Sequence, residues 1–291
     1  MMWWNSNLRN VLLLAVIILT SCEQLVFDDD GDEYGHTTLS FSASPAETRT
    51  STNLGAYFTK LNVQLFNDDG EKVFTTVKTQ TSSDANFGSI KINLSPGTYT
   101  VVAVGHSSKN SATIKSPTDV RFTASDGEKL TDTFCCCDEI TITEDPQQFS
   151  LQMYRATAMV RFMFTDENMP QNLAHWAFTY TGGSANFSPT IMQGITRSSQ
   201  SESRAAVQSQ EYHIFTFPYM ADSCSLSISV AATASDGSVV RSRTFDAVPA
   251  IRNRITTYTG TFFEPGDGNI TISEFGFTVD GDWDGEDIYE F

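Results

Sequence analysis

Four consecutive residues, Leu19-Thr20-Ser21-Cys22, have the types and spacing for one covalent reaction. An aliphatic residue, two small residues and a cysteine match the bacterial lipobox, in which the thiol is alkylated with diacylglycerol and the chain is cut just before it. The cut falls between Ser21 and Cys22 and leaves Cys22 as the lipidated first residue. The reaction needs a thiol nucleophile at the cut and small neighbours that fit the peptidase. The element that must present it lies upstream: a polar start with Arg9 as its basic residue, then nine unbroken apolar residues, Val11 to Leu19. This is a signal-peptide core, short of the roughly 20 residues a spanning helix needs. The alternative is an ordinary secretory signal whose Cys22 later forms a disulfide, although plain cleavage sites have no need of Cys there.

Other candidate chemistry is thin. Three further cysteines are consecutive, Cys135-Cys136-Cys137, and the last is Cys224. The spacing suits no zinc site, since C-x-x-C and a His partner are both missing. Two readings stay open: a long-range bridge to Cys224 in an oxidising compartment, or burial of small apolar side chains in a strand. The four histidines, His36, His106, His175 and His213, are far apart, and nothing orients one towards a nucleophile. Gly182-Gly183-Ser184-Ala185-Asn186 comes near a nucleophile elbow but has Asn where the second Gly belongs. Asp280, Asp282, Asp284 and Gly285 match the opening of a calcium loop, yet Phe291 stands where its bidentate Glu should be. The expectation is a protein that is not an enzyme and uses no metal or cofactor. Trp176, Trp283 and nine Tyr allow sugar rings to stack on exposed aromatics, which makes a surface glycan-binding lipoprotein the alternative class. Trp283, in a tail with little apolar around it, is the best candidate for an exposed ring.

The bulk composition narrows the partners. Thirty-five acids against 18 bases give a formal charge of −17, so the surface repels phosphate backbones and anionic lipid. Nucleic acid is excluded as a partner, and membrane contact runs through the acyl chains on Cys22. Residues 22–38 contain Asp28-Asp29-Asp30-Gly31-Asp32-Glu33 and read as a solvated, lipidated tether. With 40% apolar residues and 21 Phe, the remaining chain can bury a sizeable core.

From Leu39 onward strands dominate. Leu39–Ala43 and Leu61–Leu65 alternate, and Asn67-Asp68-Asp69-Gly70 turns the chain into a predicted strand at Glu71–Thr75. Ser95-Pro96-Gly97 makes a tight turn into Thr98–Val104, whose unbroken apolar run predicts a central strand buried on both faces. A long strand is predicted over Tyr154–Phe164, with Ala156, Ala158, Val160, Phe162 and Phe164 on one side. Trp176–Tyr180, Tyr212–Phe217, Leu226–Val230, Val239–Phe245 and Arg254–Phe262 follow as strands, while the Ser- and Gln-rich 194–210 reads as an exposed loop. The strand, Asp-Gly turn and strand unit recurs in different surroundings, so the halves read as two sandwiches and not a tandem duplication.

Taken together, the lipobox, SPGTYTVVAV at 95–104, YRATAMVRFMF at 154–164 and IRNRITTYTGTFF at 251–263 resemble the FimB/Mfa2 family of Bacteroidetes fimbrial subunits. The resemblance implies an all-β fold of two tandem transthyretin-like, Greek-key β-sandwiches, here residues 39–150 and 151–291, after a signal peptide at 1–21 and the tether at 22–38. It implies a lipoprotein of the cell outer membrane that anchors a fimbrial shaft and limits its length, with fimbrial shaft subunits as partners through β-strand edges. A tip or accessory adhesin is the alternative within the family. The acidic tether resembles the surface-export signal of Bacteroidetes lipoproteins, although Glu23–Phe27 delays the acids. Shaft subunits of the family are cut after an Arg near the start of the first domain, and Arg49 in Glu47-Thr48-Arg49-Thr50 is the matching candidate for proteolytic processing. An ordinary loop Arg is the other reading.

Overall fold

The computed structural model describes residues 26–28, 37–43, 53–122, 130–207, 211–263, 271–273 and 283–291. Ser21, Cys22 and Arg49 lie outside the described residues. The first strands are β1 (Val26–Asp28), β2 (Thr37–Ala43), β3 (Lys60–Phe66), β4 (Lys78–Thr81), β5 (Ser89–Asn93) and β6 (Gly97–His106). Then come β7 (Thr113–Ser116), β8 (Asp119–Arg121), β9 (Phe134–Ile142), β10 (Gln148–Arg155) and β11 (Ala158–Phe164). The remainder are β12 (Leu173–Thr181), β13 (Asn186–Ser188), β14 (Gln193–Gly194), β15 (Gln200–Ala205), β16 (Glu211–Thr216) and β17 (Ser223–Ala234). The chain closes with β18 (Val239–Ile251), β19 (Ile255–Gly260), β20 (Thr271–Ser273) and β21 (Glu286–Glu290).

Two sandwiches result. An eight-stranded sheet, β1-β5-β2-β10-β9-β6-β3-β4, changes layer at β10: Gln148–Met153 pair in parallel with β2, and Tyr154 and Arg155 pair antiparallel with β9. Leu39 and Phe41 from one layer meet Leu61, Val63, Val101 and Ala103 from the other in the first core. In the second sandwich β16-β11-β19-β21-β20 faces β15-β12-β17-β18, and Phe162, Phe164, Trp176, Phe178 and Phe245 fill the space between.

A third core joins the halves. The apolar run in β6 is buried on both faces, as its sequence predicts: Val101 and Ala103 enter the first core, while Val102 and Val104 turn to the other side. There they meet Ile114 and Val120 together with Ala156, Ala185, Phe187 and Phe217. The backbone makes the same link, since β8 pairs with β13 at Val120 and Phe187, within the sheet β14-β13-β8-β7.

Three local expectations are corrected. Gly70 takes the expected positive φ of 76°, but Glu71–Thr75 form only a bridge to Phe66, because the buried Gln64 amide bonds the Phe74 N–H and C=O in place of a ladder. The predicted strand Tyr154–Phe164 breaks at 156–157. The Ala156 N–H donates to Thr133 and Ala156 enters the third core, whereas Ala158, Val160, Phe162 and Phe164 line the second. The predicted loop 194–210 begins on the last residue of β14 and contains β15, whose Gln200 and Glu202 point inward onto polar partners.

Candidate functional site

The residues singled out for chemistry are used structurally wherever the structure describes them. Cys135, Cys136, Cys137 and Cys224 are all free thiols. Strand alternation puts Cys135 in the third core and Cys136 in the first. Burial, then the Asp138 carboxylate, pushes the Cys136 thiol up, so it stays protonated and inert. Ser184 is buried, and its hydroxyl donates to Asn186 O at 2.5 Å and accepts from Thr196 N at 3.3 Å. A Cβ on neighbouring Gly183 would stand 2.0 Å from Thr216 Oγ1, so this glycine serves close packing and not an elbow. Among the described residues no group of three or more His, Cys, Asp or Glu is placed to hold a metal. Asp280 and Asp282 lie outside them.

Trp283 is less exposed than the sequence suggests. Its ring is half-buried, and the Arg155 guanidinium lies 3.7 Å over its centroid. Trp176 is fully buried in the second core, and Arg155 takes one face of Trp283. Arg155, which the sequence pattern places within a strand with no evident role, is the hub of the junction. Its Nε lies 2.9 Å from Asp132 Oδ1, its Nη2 2.9 Å from Asp132 Oδ2, and its Nη1 donates to Asn253 Oδ1 at 2.9 Å. The Phe134 ring covers its other contact at 4.5 Å. One planar, permanently charged group therefore ties β9, the β18–β19 turn and the C-terminal segment together. Asn253 holds that turn at φ 60°, a conformation Asn tolerates.

The second sandwich has one polar side. Glu202 is buried among Tyr180 Oη at 2.7 Å and Arg204 Nη2 at 2.5 Å. Burial, then the Glu202 charge, holds the Tyr180 hydroxyl protonated well above its ordinary range, so it remains a donor. Beyond Arg204 opens a cleft of about 370 Å³, with His213 and Phe215 on one wall and Leu130 and Thr131 of the first half on the other. A second cleft, of about 280 Å³ and reaching Met169 and Leu173, shares Val207 with it, and Val207 is 48% exposed. Arg161 of β11 bridges Glu211 of β16 at 3.6 Å and Glu286 of β21 at 3.2 Å. The first cleft therefore lies beside the β16 edge and the second adjoins it, with mixed polar and apolar linings and fixed charges.

No curated protein is matched by the sequence. Similar solved structures include the fimbrial anchor protein Mfa2 from Porphyromonas gingivalis, at 12% identity and a TM-score of 0.41 over 72% of this chain and 82% of that one. A fimbrial assembly protein from Parabacteroides distasonis is similar at 14% identity and 0.41 over 78% and 90%. A candidate adhesin from Bacteroides ovatus is similar at 13% identity and 0.48 over 73% and 82%. Residues 30–290 match the model of DUF6562, a family of unknown function, and the chain belongs to that family.

Proposed function

We propose that this protein is a lipid-anchored fimbrial component of the bacterial outer membrane, which holds a fimbrial shaft at the cell surface, limits its length and binds neighbouring subunits by its strand edges. The observation that carries this reading is the order of parts: the apolar run Val11–Leu19, the lipobox ending at Cys22, the acidic run Asp28–Glu33 within the tether expected at 22–38, and then an all-β body, to which Val26–Asp28 and Thr37–Ala43 already contribute strands β1 and β2. Acyl chains on Cys22 supply membrane affinity that a chain of formal charge −17 over its full sequence lacks. Edge strands supply subunit affinity through backbone hydrogen bonds and need no catalytic residue. In this reading Arg49 is retained in the mature chain, and the sandwiches expected at 39–150 and 151–291 divide a few residues later, after β10, whose Leu151 and Met153 lie in the first core.

Deleting the gene in its own organism and comparing filaments on cells with filaments in the medium tests the reading. Shed or overlong filaments are the expected result, and Cys22→Ser should reproduce the shedding while removing label from a fatty-acid analogue. Unchanged filaments in the deletion strain would overturn it. Complete loss of filaments would assign a shaft or assembly role instead.

A further inference from the structure

Every open sheet needs its edges guarded, because unpaired N–H and C=O groups template the addition of another strand. The long edges of the described sheets are guarded, with one exception. β18 is broken by irregularities opposite Leu226/Ile228 and Ala232/Thr233 and carries Pro249. β15 turns the charged Glu202 inward. β1, β4, β7, β14 and β20 have four residues or fewer. β16 has six residues and keeps an unbroken register with β11 from Ala158↔Thr216 to Met163↔Glu211. It has no Pro, no Lys and no bulge. At its end Phe217 exchanges both backbone bonds with Ser184, each 3.0 Å. Because N–H and C=O groups alternate sides along a strand, Glu211, His213 and Phe215 turn theirs to that same outer side, away from β11; the Phe215 carbonyl already accepts there from Tyr180 Oη at 3.2 Å, which leaves the Phe215 N–H and both groups of Glu211 and His213 for an added strand. No described strand pairs with β16 there, and the cleft walled by His213, Phe215, Arg204 and Leu130 runs beside it.

We propose that the outer edge of β16, from Glu211 to Phe215, is a docking site for an extended strand of a different polypeptide. The span is about 16 Å at 3.3 Å per residue. Side chains on the added strand would stand next to Glu211, which is 47% exposed, and next to Phe215. The complementary strand therefore carries Lys or Arg beside Glu211 and an apolar residue four positions along, beside Phe215 and Leu130. A second copy of this chain is the wrong occupant, since two bodies of −17 repel. The identification of that polypeptide as a fimbrial subunit rests on the proposed function; the edge itself does not.

Photo-crosslinking from a benzoylphenylalanine at position 213, in the full chain on living cells, tests the site, with position 242 on the edge of β18 as control. The expected result is a light-dependent adduct at 213 and none at 242, with mass spectrometry locating the bond in a segment of a filament subunit that has the basic and apolar positions stated. His213→Pro removes an outward N–H and leaves the β11 ladder intact, and should reduce the adduct formed from position 215 at least tenfold. Phe215→Lys, which guards the edge without touching the backbone, should reduce the adduct from position 213 equally, with melting temperatures compared to show that both variants fold. Equal labelling at 213 and 242, an adduct only to a second copy, or undiminished labelling in both variants would overturn the site. If gene deletion sheds filaments but cells carrying either variant retain them, the edge assignment fails and the anchoring function stands. If deletion leaves filaments untouched, the function fails and the crosslink still decides the edge.

Discussion

At the residue scale, two buried side chains set measurable stabilities. His106 is buried, with its Nδ1 accepting from Ser108 N at 3.1 Å, so Nε2 carries the proton and donates to Asn62 Oδ1 at 2.7 Å. A second proton on Nδ1 would face the Ser108 N–H, donor against donor. Burial, then the nearby Lys60 charge, brings the imidazole pKa down to about 4. The unfolded chain takes up that proton near pH 6.5 and the native one does not, so the contribution is whole above pH 6.5 and is lost as pH falls towards 4. The loss is about 3 kcal/mol. Urea unfolding at pH 7.5 and 4.5 should show it for the native protein and a flatter difference for His106→Gln; equal slopes would refute the assignment. Arg155→Lys should cost about 3 kcal/mol, because an ammonium cannot bridge Asp132 and Asn253 while filling the space between Phe134 and Trp283. Asp132→Asn should cost less, since Asn keeps one acceptor and Asp132 is 22% exposed. The lipobox is legible in the sequence because its chemistry is local, whereas the role of Arg155 is not: Asp132 and Asn253 lie 23 and 98 residues away.

At the scale of the element, the C-terminal strand shows how local patterns mislead. Read alone, the acidic tail has too little apolar surface to order itself. In the fold, β21 lies parallel to β19, with Asp287 against Arg254 at 3.1 Å, Tyr289 stacked on Tyr258 at 4.9 Å and the Phe291 ring 5.0 Å from Phe245. Asp287 and Glu286 are satisfied by Arg254 of the β18–β19 turn and Arg161 of β11, which no window of sequence displays. The same reason explains β15, whose Gln200 and Glu202 look solvent-facing until Tyr180 and Thr216 are set beside them. Strands with a plain apolar pattern, the unbroken run of β6 and the alternation of β17, are legible because apolar burial alone specifies them. The docking of β21 depends on Gly260, where a Cβ would stand 2.0 Å from the Phe291 carbonyl oxygen. Gly260→Ala should therefore loosen the last strand by about 2 kcal/mol. Hydrogen exchange is the direct measurement: amides of 286–290 should lose protection while those of β12 and β17 keep theirs, and unchanged exchange at 286–290 would show that the contact relaxes without cost.

At the scale of the whole molecule, the two sandwiches are not independent beads. Two alternating patterns and the change of strand order make two sandwiches readable in the sequence, but the third core is assembled from residues that look like surplus apolar positions in either half. Val102 and Val104 have no place in the first core, and Ala185, Phe187 and Phe217 have none in the second. Each set completes the other, with the Phe187 and Phe217 rings stacked at 4.3 Å. The charges follow the same division: all seven Lys precede residue 130, and the eight basic residues after it are all Arg. Arg155 spends its planar group on the junction. A first half made alone, ending near residue 150, would expose the outer face of β6 and lose the β8–β13 pairing. It should therefore aggregate, or melt well below the intact chain. In the intact chain Phe187→Ala should cost about 3–5 kcal/mol and, because the core is shared, should lower the melting of both halves together. Hydrogen exchange at β3 and β6 reports the first half and tryptophan fluorescence from Trp176 the second. A fall in the second signal with the first unmoved would mean that the sandwiches fold separately and that the shared core is only a contact between them.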